Sequence, residues 1–191
     1  MTRNPTARAV LMVGLPGAGK TTRARGYAAL RLTPDDWMIP LFGDSYADGK
    51  RWTLEGRLIL VALPALRLGT DVVLDFGLWG RDERSALRWL ITSIGADCVI
   101  DYLPVDREVQ LARIAHRQAT EPSTTFPMSE TEVDLWREQF QAPDQAELCG
   151  GEIPAAPEGW SDWLAWAIDH WPPLTELGLR ARGPAGTDAV A

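Results

Sequence analysis

The sequence has 191 residues, 46% of them hydrophobic and 24% charged, and a formal net charge of -7 at pH 7. This length and composition exclude a collagen-like, low-complexity or wholly disordered chain and favour one compact α/β unit with a short appendage. The net negative charge disfavours nucleic acid as a partner, because proteins that bind nucleic acid usually carry a basic surface.

Apolar runs and cysteines indicate the cellular setting. The longest early apolar run, residues 9–15, is interrupted by Pro16 and Gly17 and is too short for a signal-peptide core or a membrane span. We therefore expect a cytoplasmic protein without membrane contact. The two cysteines, Cys98 and Cys149, are then expected to be reduced thiols, and no Cys/His cluster has zinc spacing.

Apolar strands alternate with helical stretches, a pattern that predicts a mostly parallel sheet covered by helices. We expect one domain over residues 1–177, a loop at 142–159 and a flexible tail at 178–191. Strands are expected at 9–13, 30–32, 71–75 and 96–103, and helices at 20–29, from 33 until Pro40 stops the helix, and at 51–68, 82–94, 107–119, 133–141 and 160–171.

The segment after the first predicted strand matches G-x-x-x-x-G-K-[ST] and opens a predicted helix, which is the context a phosphate-binding P-loop requires. Its glycines let backbone N–H groups surround phosphates, while a lysine reaches the β- and γ-phosphates and a hydroxyl binds Mg²⁺. The alternative is a glycine turn with an exposed lysine. The nucleotide-binding residues are therefore expected to be Gly14, Leu15, Pro16, Gly17, Ala18, Gly19, Lys20, Thr21 and the adjacent Thr22.

The expected nucleotide is ATP with Mg²⁺. The guanine-recognition sequence N-K-x-D is absent, since Lys20 and Lys50 are the only lysines. Asp75 ends an apolar strand, where its carboxylate can complete the Mg²⁺ site opposite Thr21. Its alternative role is to cap the following turn.

Asp35 is the candidate catalytic base. It follows the second strand, at the carboxyl edge where open α/β sheets bind ligands, and there it could take the proton of an attacking hydroxyl. Thr33 is expected to cap the next helix, with Asp36 closing the capping box. The alternative role of Asp35 is to compensate the helix dipole.

Two arginine stripes lie on predicted helices. Arg113 and Arg117 are four residues apart, so they repel each other unless an anion such as polyphosphate compensates them, and the alternative is a solvated basic face. The second stripe, Arg81, Arg84 and Arg88, is expected to be mostly solvated, with Arg81 nearest the site.

These motifs in this order, from residue 9 to 142, resemble the P-loop kinase group that includes phage polynucleotide kinase, chloramphenicol phosphotransferase and zeta-type toxins. The resemblance implies an AAA-type ATP-binding domain: a three-layer α/β/α P-loop NTPase fold with a five-stranded, mostly parallel sheet and a helical lid at about 113–130. It also implies an ATP–Mg²⁺ donor, catalysis by Asp35 and phosphate contacts from Arg113 or Arg117. The fifth strand has its only candidate near residues 152–153. Met38 stands where polynucleotide kinases have arginine, which disfavours a polynucleotide acceptor.

The sequence thus predicts a kinase that phosphorylates a hydroxyl of a small molecule such as an antibiotic, nucleoside or sugar. Trp37, Trp52, Trp79 and Arg81 are candidate acceptor contacts, although tryptophans at such positions are more often part of a core. Two alternatives remain: an ATP-driven switch without an acceptor, and a zeta-type toxin that phosphorylates a sugar nucleotide.

Overall fold

In the computed structural model, which describes residues 6–43, 48–121 and 127–181, strands and helices alternate along most of the chain. The strands within these ranges are β1 (Arg8–Val13), β2 (Leu30–Leu32), β3 (Val72–Gly77) and β4 (Asp97–Tyr102). The helices are α1 (Lys20–Ala24), α2 (Asp35–Phe42), α3 (Lys50–Arg67), α4 (Arg81–Ser93), α5 (Arg107–Thr120), α6 (Glu130–Gln139), α7 (Gln145–Leu148), α8 (Trp163–His170) and α9 (Thr175–Ala181), with a 3-10 turn at Pro172–Leu174.

The strands form one sheet in the order β2-β3-β1-β4, and all neighbouring strands are parallel. In the centre, Val10 pairs with Val73 on one side and with Val99 on the other. Strands β1 and β3 are buried along almost their whole length, as expected for apolar strands of a parallel sheet that helices cover on both faces. The predicted three-layer α/β/α P-loop fold is confirmed.

Apolar side chains pack on both faces of the sheet. The larger core joins β1 and β3 to α3, α4 and α8, through residues such as Leu11, Ile59, Leu87 and Trp166. The smaller core lies on the other face, where α1 contributes Ala24. The two layers hold the carboxyl ends of the parallel strands at one edge, where the loops after β1 and β3 meet: the N–H of Gly14 donates to the carbonyl of Gly77 at 3.2 Å.

The sheet has four strands in the described part of the chain, whereas five were expected. The candidate segment, Glu152 and Ile153, forms no strand pair. The segment lies between Gly151, which weakens a strand, and Pro154, which ends one. Only two residues remain between them, and these are too few to form a fifth strand. The expected loop before it contains the short helix α7, whose N-terminus is capped by Asp144.

The helix after β2 differs from the prediction in two respects. Pro40 does not stop it: α2 continues to Phe42 and ends where Gly43 adopts φ +67° and donates its N–H to the Ile39 carbonyl at 2.8 Å. The expected capping box is also absent, because the side chain at the N-terminus makes no capping hydrogen bond. Asp36 instead accepts from Nη1 of Arg31 at 2.9 Å, since an ion pair is available across the turn.

The C-terminal helical region differs from the single helix predicted at 160–171: α8 is shorter, and a further helix, α9, follows it. Asp162 caps α8 by accepting from the Ala165 N–H at 2.8 Å, so Trp160 lies outside this helix. Helix α9 runs to Ala181, past the expected start of a tail at Gly178. Residues 182–191, like residues 122–126 of the expected lid, lie outside the described residues. Helix α1 is shorter than predicted and ends at Ala24.

The stripe expected to be solvated on α4 is largely buried. Arg84 has no exposed surface, and its Nε and Nη2 donate to the two carboxylate oxygens of Glu147 at 2.8 and 3.1 Å. Arg88 is also buried and donates to the Gly151 carbonyl. The prediction was wrong because the partners of these arginines lie more than 60 residues later in the chain.

Within the described ranges, the search for a helix that combines the length and the apolar character of a membrane span finds none.

Candidate active site

The predicted phosphate-binding loop lies between β1 and α1, at the carboxyl edge of the sheet. Gly14 has φ +152°, and a Cβ atom at this position would lie 2.8 Å from the Leu103 carbonyl oxygen. Only glycine therefore fits where the loop passes β4. Gly17 and Gly19 also have positive φ, of +78° and +97°, which turns the loop into the first turn of α1.

Lys20 begins α1, with the carboxylates of Asp75 and Asp35 and the guanidinium group of Arg51 near its ammonium group. Its Nζ donates to the Leu15 carbonyl across the loop at 2.9 Å. Burial lowers the pKa of Lys20 to about 8, and the carboxylates of Asp75 and Asp35 oppose that shift. The ammonium group is thus near the predicted metal ligand Asp75 and the predicted base Asp35, and a bound phosphate would favour its charged form.

Helix α5 packs against the loop. Gln110, which is fully buried, donates from Nε2 to the Pro16 carbonyl at 3.0 Å, and Nη1 of Arg113 donates to the Gly17 carbonyl at 3.1 Å. Arg137 from α6 donates to Oε1 of Gln110 at 2.8 Å. Arg117 is near enough to Lys20 to lower its pKa. Both predicted arginines therefore lie on the helix that borders the loop.

Asp75 lies at the end of β3, buried and paired with Arg31. Nε and Nη2 of Arg31 both donate to its Oδ2, at 3.1 and 2.9 Å. Among the described residues no group of three or more carboxylate, histidine or cysteine side chains could hold a metal. That is compatible with Mg²⁺, which usually takes one or two protein oxygens and completes its shell with phosphate and water. The Thr21 hydroxyl and the Asp75 carboxylate fit this requirement.

Asp35 begins α2, with its side chain 56% exposed. Its Oδ1 accepts from Nη1 of Arg51 at 2.8 Å, and Nη2 of the same guanidinium donates to the Phe76 carbonyl at 3.2 Å. Nε of Arg51 pairs with Oε1 of Glu55 at 3.0 Å. Arg51 therefore ties the candidate base to the residue that follows Asp75.

The predicted acceptor contacts occupy different positions. Trp37 is half exposed, but it lies two residues after Asp35 in α2, and side chains at that spacing do not share a helix face. Trp52 is half exposed and packs against His170, with ring centroids 5.4 Å apart. Trp79 packs against Trp136, with ring centroids 5.8 Å apart, and a Cβ atom built on Gly77 would lie 3.3 Å from Nε1 of Trp79 and 4.0 Å from Cε of Lys20. Trp79 is thus the tryptophan of the three that shares a neighbour, Gly77, with the P-loop lysine.

Arg81 is turned toward α7. Its Nη2 donates to Oδ2 of Asp144 at 2.6 Å, and its N–H donates to Oε1 of Gln141 at 2.8 Å. A role in binding the acceptor remains a prediction.

Sequence analysis missed three residues of the site, Arg31, Arg51 and Glu55. Arg51 and Glu55 carry a visible signal, since opposite charges four residues apart share a helix face. Arg31 carries none, because its partners follow from the pairing of β2 with β3.

The strand order, the P-loop and the carboxylates at one edge define a P-loop kinase-like protein. A family model described as an AAA domain matches residues 10–143, and the chain belongs to that family. No curated protein matches it.

Solved structures share this fold at low sequence identity. A chain of the Pnkp1/Rnl/Hen1 RNA repair complex matches with a TM-score of 0.62 and 19% identity, over 72% of this chain and 45% of that one. APS kinase from Mycobacterium tuberculosis, in complex with AMPPNP and APS, matches with a TM-score of 0.50 and 17% identity over 90% and 99% of the two chains. A sugar kinase from Janibacter sp. matches with a TM-score of 0.52 and 20% identity, over 98% of this chain and 100% of that one. The present chain thus spans less than half of the RNA repair chain, and the likeness concerns the fold.

Proposed function

We propose that this protein is an ATP-dependent phosphotransferase that phosphorylates a hydroxyl group of a small molecule. One arrangement carries the proposal: Arg51 joins Asp35 to the Phe76 carbonyl next to Asp75, and both carboxylates oppose the lowering of the Lys20 pKa by burial. The group expected to hold the γ-phosphate, the expected metal ligand and the expected base therefore share one site. The kinases among the solved structures with this fold support the same class.

In the proposed reaction the acceptor oxygen attacks the γ-phosphorus of ATP. A new P–O bond forms, the bond to the β–γ bridging oxygen breaks, ADP leaves, and Asp35 takes the hydroxyl proton. The loop N–H groups and Lys20 bind the phosphates, and Arg113 and Arg117 stabilise the transferring charge. Thr21 and Asp75 would hold Mg²⁺, which neutralises charge on the phosphate oxygens.

The distribution of charge beside Asp35 favours an acceptor without negative charge. The side chains of Asp35 and Asp36 are both 56% exposed, whereas those of Arg31 and Arg51 are 16% and 33% exposed. Every nitrogen of these two guanidinium groups has an oxygen partner in the protein. The charge that faces solvent is therefore negative, and an anionic acceptor would be repelled.

Calorimetry with MgATP tests nucleotide binding, and absence of binding would refute the proposal. Phosphoryl transfer is tested with a panel of acceptors. Glucose, glucosamine and glucuronate are matched in shape but not in charge, and a nucleoside and a neutral antibiotic complete the panel. ADP and phosphorylated product should form in equal amounts. ADP with only free phosphate would favour the switch, and loss of viability on induced expression would favour the toxin.

A further inference from the structure

The C-terminal part of the chain contacts the candidate active site through one buried hydrogen bond. Trp171, which has no exposed surface, donates from Nε1 to Oε2 of Glu55 at 3.0 Å. Trp171 lies beyond the family match, which ends at residue 143. This contact therefore brings a segment outside the matched region to a helix that borders the site.

Glu55 connects Trp171 to Asp35 by way of Arg51. Its other oxygen, Oε1, pairs with Nε of Arg51 at 3.0 Å, and Nη1 of Arg51 donates to Oδ1 of Asp35 at 2.8 Å. Glu55 is 4% exposed and Asp35 is largely exposed. The series of contacts thus leads from the core to the surface carboxylate.

A guanidinium group is planar, so fixing two of its nitrogens fixes the direction of the third. Glu55 holds Nε, and the Phe76 carbonyl holds Nη2. Nη1 is then directed at Oδ1 of Asp35, and this leaves Oδ2 to receive the proton of an acceptor hydroxyl. Without Glu55, Arg51 would rotate more freely and Asp35 would lose its fixed orientation.

We infer that Glu55 is a positioning residue for the base Asp35, that it acts through Arg51, and that Trp171 holds it in place. This inference rests on the proposed function. It assigns Trp171, the residue that follows helix α8, a role in the site as well as in packing.

The surroundings of Glu55 make the arrangement sensitive to pH. Burial raises the pKa of Glu55 to about 7; Arg51 and the Trp171 indole oppose the shift, Glu83 adds to it, and His170 opposes it. A protonated Glu55 pairs less strongly with Arg51. The rate of ADP formation should therefore rise with pH through about 7.

The test compares Glu55→Gln and Trp171→Phe with Trp163→Phe. Trp163 is a matched control, because it is buried in the same region but donates to the Pro154 carbonyl at 2.7 Å and not to Glu55. For each variant, calorimetry gives the Kd of MgATP. ADP release from MgATP between pH 5.5 and 9 gives the rate, with the panel acceptor that is phosphorylated or, where none is, with water as the acceptor. ATP affinity should change less than about twofold in all three.

We expect Glu55→Gln to lower the rate about 10-fold or more and to abolish the rise near pH 7, as a loss of orientation implies. Trp171→Phe should lower it less, and Trp163→Phe by under about twofold. The double variant E55Q/W171F should be no slower than Glu55→Gln, because residues that act in series are not additive. An unchanged pH profile in Glu55→Gln, or additive effects, would overturn the inference.

A spectroscopic measurement covers the case in which Trp171→Phe does not fold. In the ¹H–¹⁵N spectrum, Glu55→Gln should shift the Trp171 indole signal and leave that of Trp163 in place. No shift at Trp171 would refute the contact itself. If the unchanged chain binds no ATP, the proposed function fails and the role of Glu55 with it; if ATP binds normally and only the rate comparison fails, the kinase proposal stands.

Discussion

Nε and Nη2 of Arg31 both donate to the same oxygen of Asp75, Oδ2, at 3.1 and 2.9 Å. The guanidinium therefore fixes the carboxylate at the end of β3 and compensates its charge in a place where Asp75 is buried. A buried carboxylate without such a partner is costly. The pair thus engages Oδ2 of Asp75, and under the proposed function the same carboxylate would hold Mg²⁺.

Replacing Arg31 should affect mainly the stability of the fold, whereas replacing Asp75 should affect the contribution of Mg²⁺ to ATP binding. Arg31→Gln leaves Asp75 buried without its cation and should lower the free energy of unfolding by about 1–3 kcal/mol, measured by chemical denaturation. Asp75→Asn should reduce the gain in ATP affinity that Mg²⁺ gives, measured by calorimetry with and without the metal. An unchanged Mg²⁺ effect in Asp75→Asn would exclude it as a ligand.

Asp35 and its neighbour Asp36 form a matched pair for testing the base. Asp35→Asn should slow transfer about 10²–10⁴-fold, the usual contribution of a general base, while ATP affinity stays the same. Asp36→Asn should have a much smaller effect, because Asp36 is equally exposed but pairs with Arg31. Equal rates for the two variants would remove Asp35 from the mechanism.

The lowered pKa of Lys20 predicts that ATP binding depends on pH. In the free protein Lys20 loses its proton near pH 8, whereas phosphate favours the ammonium form. Affinity should therefore fall as pH rises through about 8, and binding at pH 8.5 should take up a proton. Calorimetry in two buffers of different ionisation enthalpy measures this uptake. Lys20→Met should abolish it and weaken binding by about 1.5–3 kcal/mol, whereas Lys50→Met, at the only other lysine, should leave it intact.

The same change in pKa affects stability in a defined direction. Between pH 8 and the ordinary lysine value of 10.5, the unfolded chain holds more protons than the folded chain at this position. The contribution of Lys20 to the free energy of unfolding should therefore rise with pH over this window. Thermal denaturation of Lys20→Met beside the unchanged chain at pH 8 and 10 measures the difference; an identical pH dependence in both would contradict it.

The buried pair of Arg84 and Glu147 should contribute far more to folding than an exposed pair. Glu147→Ala leaves Arg84 buried without a carboxylate and should lower the free energy of unfolding by about 3–5 kcal/mol. Asp134→Ala, which breaks the exposed pair with Arg107, should have little effect. Because Nη1 of Arg84 also donates to the Leu78 and Trp79 carbonyls, Glu147→Ala should also loosen the turn beside Lys20. Equal melting temperatures for the two variants would contradict this account.

The parts of the molecule that sequence could predict depend on local patterns. The four strands follow from short apolar runs, and the loop from Gly14 to Thr21 follows from a motif with fixed spacing. The S-x-x-E spacing of Ser129 and Glu132 likewise predicts a capping box, and this box is present at the start of α6. In each case the residues that determine the structure lie within a few positions of one another.

The remaining features depend on residues far apart in the chain. Arg84 resembles a surface arginine until α7 brings Glu147 beside it, 63 residues later. Trp171 and Glu55 are 116 residues apart, and only the packing of the C-terminal helices on α3 joins them. The spacing of Trp163 and Trp166 indicates an apolar helix face, but it does not indicate which polar group each indole contacts.

Because the sheet ends at β4 in the described part of the chain, that strand has a neighbour only at β1. Open strand edges invite pairing with a second molecule, and proteins counter this with charged residues. Strand β4 carries Asp97 at its start and Asp101 near its end, on either side of the partly exposed Val99. Asp97 is exposed, and Asp101 accepts from Nε of Arg23 at 2.8 Å. Charged side chains thus flank Val99 on a six-residue strand, the pattern by which an edge strand resists pairing with a second copy.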